Sequence, residues 1–228
     1  MTDHQQKQIE VIDHIEEQVN SNTLQFSLVA PVEDYENDTR ICLTSVHFPN
    51  KTLVEQIQTQ LIDKLKEVEP EYYYYAPDSF HMTIKNIRVI NDPPQFTEED
   101  VLKAKKVLLE IIPNYKKFNV YFYRLLLFPN NLALIGTTDP ELDNIILNLD
   151  KRLKEVGLSD DKKYTNSKFF FSNMTLARFP KVSAKFKQKV EELSVNISFD
   201  PYEVDSVTLL TCNAVFKKRI IIESWKLK

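Results

Sequence analysis

The sequence predicts an α+β protein of two similar lobes, with antiparallel sheets around a central cleft, and three observations lead there. His81-Met82-Thr83-Ile84 and Asn173-Met174-Thr175-Leu176 repeat one pattern at an offset of 92 residues, the same from 81 to 173 as from 83 to 175. The order strand-helix-strand-helix-strand runs twice, over about 40–127 and 131–226, with one strand left over. Within those spans apolar residues alternate in some segments and recur at helical spacing in others.

Taken in order, Ile9, Ile12, Ile15 and Val19 give an amphipathic helix, and Leu24 to Val32 an apolar stretch; together they make an N-terminal extension over 1–36, outside a domain at 37–228. Residues 40–48 read as a strand. Thr52 with Glu55 forms a capping box for a helix lined by Val54, Ile57, Leu61, Leu65 and Val68, which Pro70 ends. The His81 strand follows, then a helix opened by Thr97 and Asp100, then a strand over 118–127. In the second half, Leu132 to Thr137 is a strand and Asp139-Pro140 caps a helix that closes at Gly157. The Asn173 strand, a short helix from Ser183 and strands over 204–212 and 219–226 complete the chain.

Side chains two apart on a strand share a face, so His81 points with Thr83 and Asn173 with Thr175, while Met82, Ile84, Met174 and Leu176 face a core. The segment Asn173-Met174-Thr175-Leu176-Ala177-Arg178-Phe179 resembles the second motif of the two-histidine phosphoesterases, the family of the bacterial 2′-5′ RNA ligases and cyclic phosphodiesterases, whose form is His-x-Thr-Leu-small-Arg. Every position agrees except the first, where asparagine replaces histidine. The resemblance covers roughly 40–228, including a closing strand at 221–227, and implies a two-lobed LigT-like fold. It also implies metal-free, cofactor-free chemistry on 2′,3′-cyclic or 2′-5′ phosphodiester ends of RNA or a small nucleotide. One histidine would take a proton from the attacking group, the other would protonate the leaving oxygen, and the threonines would hold the phosphoryl oxygens.

Imidazole suits that work because its ordinary pKa lets it accept or donate near neutrality. An amide keeps the hydrogen bonds and cannot carry the proton. The catalytic candidates are thus His81, Thr83, Asn173 and Thr175. Arg178 is the cation for developing phosphoryl charge and Lys85 a second one. Strict alternation puts Arg178 on the face opposite Asn173, so it reaches the cleft only if the strand bends near Ala177. His47 is weighed as a substitute proton carrier and read as solvent-facing; His4 and His14 are read as surface residues. The runs Tyr72 to Tyr75 and Phe169 to Phe171 supply core and cleft walls, with Tyr73, Tyr75 and Phe171 as the candidates for the cleft and for contact with a base.

Composition narrows the function. The 228 residues, 43% apolar and 27% charged, suffice for a full core. A net charge of −4 gives no basic field for duplex nucleic acid. Lys163, Lys168, Lys181, Lys185, Lys187 and Lys189 near the second motif read as a solvated face rather than an RNA track. With glycine only at 136 and 157, glycine-rich phosphate loops are excluded, and side chains must hold any phosphate. Cys42 and Cys212 read as buried small hydrophobes without a thiol partner, and with no membrane or secretory segment the expectation is a cytoplasmic monomer. The extension packs on the domain in one reading and is an arm for a protein partner in the other. Two functions are carried forward: a phosphoesterase impaired or specialised by Asn173, and a non-catalytic module that binds a nucleotide or RNA end.

Overall fold

The computed structural model describes residues 1–26, 28–162 and 166–228. Lys163 therefore lies outside the described residues. Among the described residues, helices α1 (Asp3–Ser21), α2 (Lys51–Ile57), α3 (Asp63–Lys66), α4 (Glu98–Ile111), α5 (Glu141–Glu155) and α6 (Ala184–Val195) accompany nine strands. These are β1 (Ile41–His47), β2 (Tyr73–Tyr74), β3 (Met82–Asn91), β4 (Phe118–Phe128), β5 (Asn131–Thr138), β6 (Ser172–Arg178), β7 (Tyr202–Val204), β8 (Ser206–Cys212) and β9 (Arg219–Lys226).

Two antiparallel sheets form, in the orders β3-β1-β8-β9 and β2-β6-β5-β4-β7. Apart from the two-residue β2, they correspond strand for strand: β3 to β6, β1 to β5, β8 to β4 and β9 to β7. In the first half β1 and β3 thus lie together while β4 joins the other sheet, and in the second half β5 and β6 lie together while β8 and β9 join the other sheet. Asp205 marks one crossing. It divides what reads in sequence as one strand over 204–212 into β7, paired with β4, and β8, paired with β1.

One face of each sheet packs into a common core, with Met82, Ile84 and Ile87 of β3 joining Leu132, Leu134, Met174 and Leu176. On the other face of the five-stranded sheet, Leu126, Ala133 and Ile135 pack under Ile12 and Ile15 of α1. The corresponding face of the four-stranded sheet carries Val46, Leu210, Cys212 and Phe216.

Three local expectations are corrected. Asn50, not Thr52, caps α2, its side chain accepting from the Leu53 amide at 2.9 Å. The helix then widens into a π turn at Gln58–Ile62 before α3. Asp139 does not cap α5; its carboxylate accepts from the Asn119 amide and the Tyr121 hydroxyl across the β4–β5 ladder. Cys42 and Cys212, 170 residues apart in sequence, are cross-strand partners in β1 and β8 with their sulfurs 3.4 Å apart. The other caps follow the sequence, with Thr97 and Asp100 forming a capping box, Ser183 opening α6, and Gly157 taking φ +81°.

Candidate phosphate site

The two motif strands are bent in the same place. Ser45 of β1 pairs with Lys85 and Val46 with Thr83, which leaves Ile84 as an extra residue in β3. Leu132 of β5 pairs with Ala177 and Ala133 with Thr175, which leaves Leu176 extra in β6. The bulges stand 92 residues apart, from 84 to 176, so the repeated pattern extends to an irregularity of the backbone. A bulge advances the chain by one residue without advancing the partner, and so reverses which face the following side chains take. Arg178 is thereby turned onto the face of Asn173 and Thr175, opposite Asn131.

Thr83, Asn86, Asn131, Asn173, Thr175 and Arg178 line a single cavity of about 240 Å³. Apart from Asn131, which hydrogen-bonds Asn130, and Asn86, which bonds Asp160, these groups are lightly committed. Among the described residues, the Thr83 and Thr175 hydroxyls and the Asn173 amide make no protein hydrogen bond.

Arg178 is the dominant charge of the site. It is buried, yet it has no carboxylate partner among the described residues. Its Nε donates to the Tyr75 hydroxyl at 2.9 Å, and that hydroxyl donates in turn to the Ala214 carbonyl at 2.6 Å. The rings of Tyr35 and Tyr75 flank the guanidinium, 5.9 and 5.8 Å from their centroids. This fixes the group from one edge and leaves its terminal nitrogens to a ligand. Buried arginines are ordinarily paired, because desolvating a guanidinium costs several kcal/mol.

Lys85 is placed differently. With the Ile84 bulge before it, it leaves the alternation of His81 and Thr83, and although it borders the cavity its ammonium lies 2.6 Å from Asp160 and 3.1 Å from Asp150. Its charge is already balanced by carboxylates. Lys162 reaches the cavity from the same segment, which lies along the edge of β3 through the bonds of Asp160 to Asn86 and Asp161 to the Val89 amide.

His81 sits just before β3 and does not border the cavity. Its ring stacks on Phe216 at 3.5 Å with an interplanar angle of 21°, and Tyr75 stands 6.1 Å away. Nδ1 donates to the Ser79 carbonyl at 2.8 Å, so Nε2 carries the lone pair, the form a general base needs. Burial pushes the pKa down to about 4, the Ser79 bond opposing and Arg178 and Arg219 adding to the shift. Phe216 holds its place with φ at +60°, an uncommon conformation for a bulky side chain.

A stability change with pH follows. The unfolded chain binds a proton at His81 below about 6.5, whereas the folded chain does so only near 4, so stability is complete above 6.5 and falls as the pH drops through that window. The loss amounts to about 3 kcal/mol at the bottom of the window. His47, whose pKa burial also lowers, acts in the same direction. Urea midpoints at pH 7.0 and 4.5 should show the decline, and His81→Gln should reduce it; an unchanged midpoint in the parent chain would contradict the burial of these rings.

The remaining candidates are accounted for residue by residue. His47 is buried, not solvent-facing, with Nδ1 at 2.8 Å from the Ser206 carbonyl and Nε2 at 2.9 Å from the Tyr202 hydroxyl. Both nitrogens are occupied away from the cavity. His4 is half-buried against Asp143 at 2.7 Å, whereas His14 is exposed. Tyr75 supports Arg178 and does not line the cavity, while Phe171 does line it, together with Phe169 and Phe170. Sequence reasoning missed Tyr35, Asn131, Lys162 and the α1 residues Val11 and Ile15, since no spacing rule links them to either motif.

No family model matches the sequence. Among solved structures, the chain is similar to Escherichia coli LigT in apo form, with a TM-score of 0.58 and 15% identity over 84% of this chain and 99% of that one. The complex of E. coli LigT with 3′-AMP gives a TM-score of 0.56 at 16% identity, covering 83% and 99% of the two chains. A conserved protein of unknown function from Agrobacterium tumefaciens gives 0.55 at 13% identity, covering 92% and 97%. The fold is therefore the LigT-like α+β fold.

Proposed function

We propose that this chain is a LigT-like phosphoesterase whose cavity holds the phosphate of a small nucleotide or RNA end, and that it acts slowly on 2′,3′-cyclic or 2′-5′ phosphodiester linkages. The observation that carries this reading is Arg178, a buried guanidinium without a carboxylate partner among the described residues, lining one cavity with two threonine hydroxyls and an amide that have no hydrogen-bond partner among those residues. An anion is what this arrangement lacks. A phosphate supplies oxygens for the guanidinium edge and for both hydroxyls at once.

In this reading Thr83 and Thr175 hold the non-bridging oxygens, Arg178 offsets their charge, and Asn173 orients the attacking or leaving oxygen by a hydrogen bond. His81 is the sole proton carrier. Losing one positioned acid or base costs ~10²–10⁴-fold, which leaves strained cyclic phosphates as the substrates least affected. The binding of 3′-AMP by LigT is consistent with a nucleotide at this site.

A second reading, a non-catalytic nucleotide-binding module, is favoured by the Phe216 stack, which keeps His81 out of the cavity lining. Turnover separates the two. The chain should hydrolyse a 2′,3′-cyclic nucleotide measurably above the uncatalysed rate, and His81→Ala should remove that activity while 3′-AMP still binds. Binding without turnover in the parent chain would establish the module.

A further inference from the structure

Besides its polar groups, the cavity has an apolar lining that the phosphate reading leaves unexplained. Val11 and Ile15 of α1, Leu28 and Val29 of the following segment, and Phe128 and Phe171 form an apolar compartment beside Arg178, Thr83 and Thr175. Resting on the phosphate-site reading, we propose that α1 is a fixed wall that selects a single phosphate ester carrying one aromatic group of nucleobase size, and that it excludes a continuing polynucleotide.

Helix α1 packs on the face of the five-stranded sheet that carries Asn173 and Thr175, and it is anchored there by polar contacts, those of Gln8 buried. Gln8 is fully buried; its Nε2 donates to the Thr138 hydroxyl at 2.8 Å and to the Phe170 carbonyl, and its Oε1 accepts from the Thr138 amide at 2.9 Å. His4 pairs with Asp143 at 2.7 Å, and the same carboxylate accepts from the Phe170 amide at 2.8 Å. Arg124 of β4 holds Asp13 and Glu16 from the other flank, at 2.8 and 2.9 Å. Breaking a buried, hydrogen-bonded amide free leaves its partners unsatisfied, so these contacts oppose opening. The contacts to Phe170 also join α1 to the segment that supplies Phe171.

Size and polarity agree with this assignment. A volume of about 240 Å³ is below the ~300–1,000 Å³ of most drug-sized ligand sites, which is the scale of one nucleotide and not of several. Aromatic walls hold any base by its face, which makes such a compartment tolerant of base identity.

The test compares three probes on the full chain at one salt concentration: inorganic phosphate, 3′-AMP, and a ten-nucleotide RNA ending in a 3′-phosphate. We expect 3′-AMP to bind at least tenfold more tightly than phosphate, and the RNA at least tenfold more weakly than 3′-AMP. Val11→Trp, which fills the compartment from α1, and Phe171→Ala, which removes its far wall, should each weaken 3′-AMP about tenfold and leave phosphate unchanged. Thermal melts identify a variant that fails to fold, in which case the other variant and the parent comparison decide. The inference is overturned if 3′-AMP binds no better than phosphate, if the RNA binds as well as 3′-AMP, or if neither folded variant alters the preference. A parent chain that binds none of the three would overturn the phosphate site itself, a distinct outcome.

Discussion

Asn173→His is expected to raise the turnover of a 2′,3′-cyclic nucleotide by ~10²-fold or more, since a positioned acid or base contributes ~10²–10⁴-fold. Residue 173 is the exposed position of β6 that borders the cavity, its partner in β5 is Ile135, and among the described residues its side-chain amide has no hydrogen bond to be lost on substitution. The new imidazole would stand on the same face as Thr175, with the Leu176 bulge keeping Arg178 on that face as well. His81→Ala in that background should abolish the gain, because two groups that pass a proton in and out act as a unit. A restored histidine without any gain would mean that the His81 ring, stacked on Phe216, does not reach the reacting group.

Arg178→Ala is expected to weaken phosphate and 3′-AMP alike, by about 10- to 100-fold, the range that hydrogen bonds to a charged group span at roughly 1.5–3 kcal/mol. The loss should be greatest at low salt and shrink as ions screen the charge. Arg178→Lys should recover only part, since an ammonium lacks the planar fork that meets two phosphate oxygens. Tyr75→Phe gives an intermediate case: the ring that flanks the guanidinium remains and only the hydroxyl that accepts from Nε is lost. Calorimetric titration distinguishes these outcomes. Equal affinity in the parent chain and Arg178→Ala would remove the basis of the phosphate site.

Much of this was legible in the sequence because it depends on local rules. The 92-residue repeat and the strand and helix periodicities led to the paired sheets, and side-chain alternation put Thr83, Asn173 and Thr175 on their faces. The same rule set Arg178 on the wrong face unless the strand bent, and the bend at Leu176 is a matter of pairing register, which a single strand does not reveal. Lys85 shows the same limit in reverse. Alternation gave it to the cleft, whereas the Ile84 bulge and the carboxylates of Asp150 and Asp160, brought in from elsewhere in the chain, determine what its charge does.

His81 and the extension were hidden for a different reason. The ring that buries His81 comes from the β8–β9 turn, 135 residues further on in the chain (81 to 216), and α1 covers a face whose existence depends on the assembled sheet. Amphipathic spacing of Ile12 and Ile15 foretold that the helix would pack, not that it would wall the site. The pairing of Cys42 with Cys212 was equally invisible, being a register property of two strands from opposite ends of the domain.

The most direct measurement is a crystal structure of the chain grown with 3′-AMP. The account predicts the phosphate within hydrogen-bond distance of the Arg178 terminal nitrogens and of the Thr83 and Thr175 hydroxyls, with the base between Val11 and Phe171. A nucleotide bound elsewhere, with Arg178 contacting only Tyr75, would contradict it.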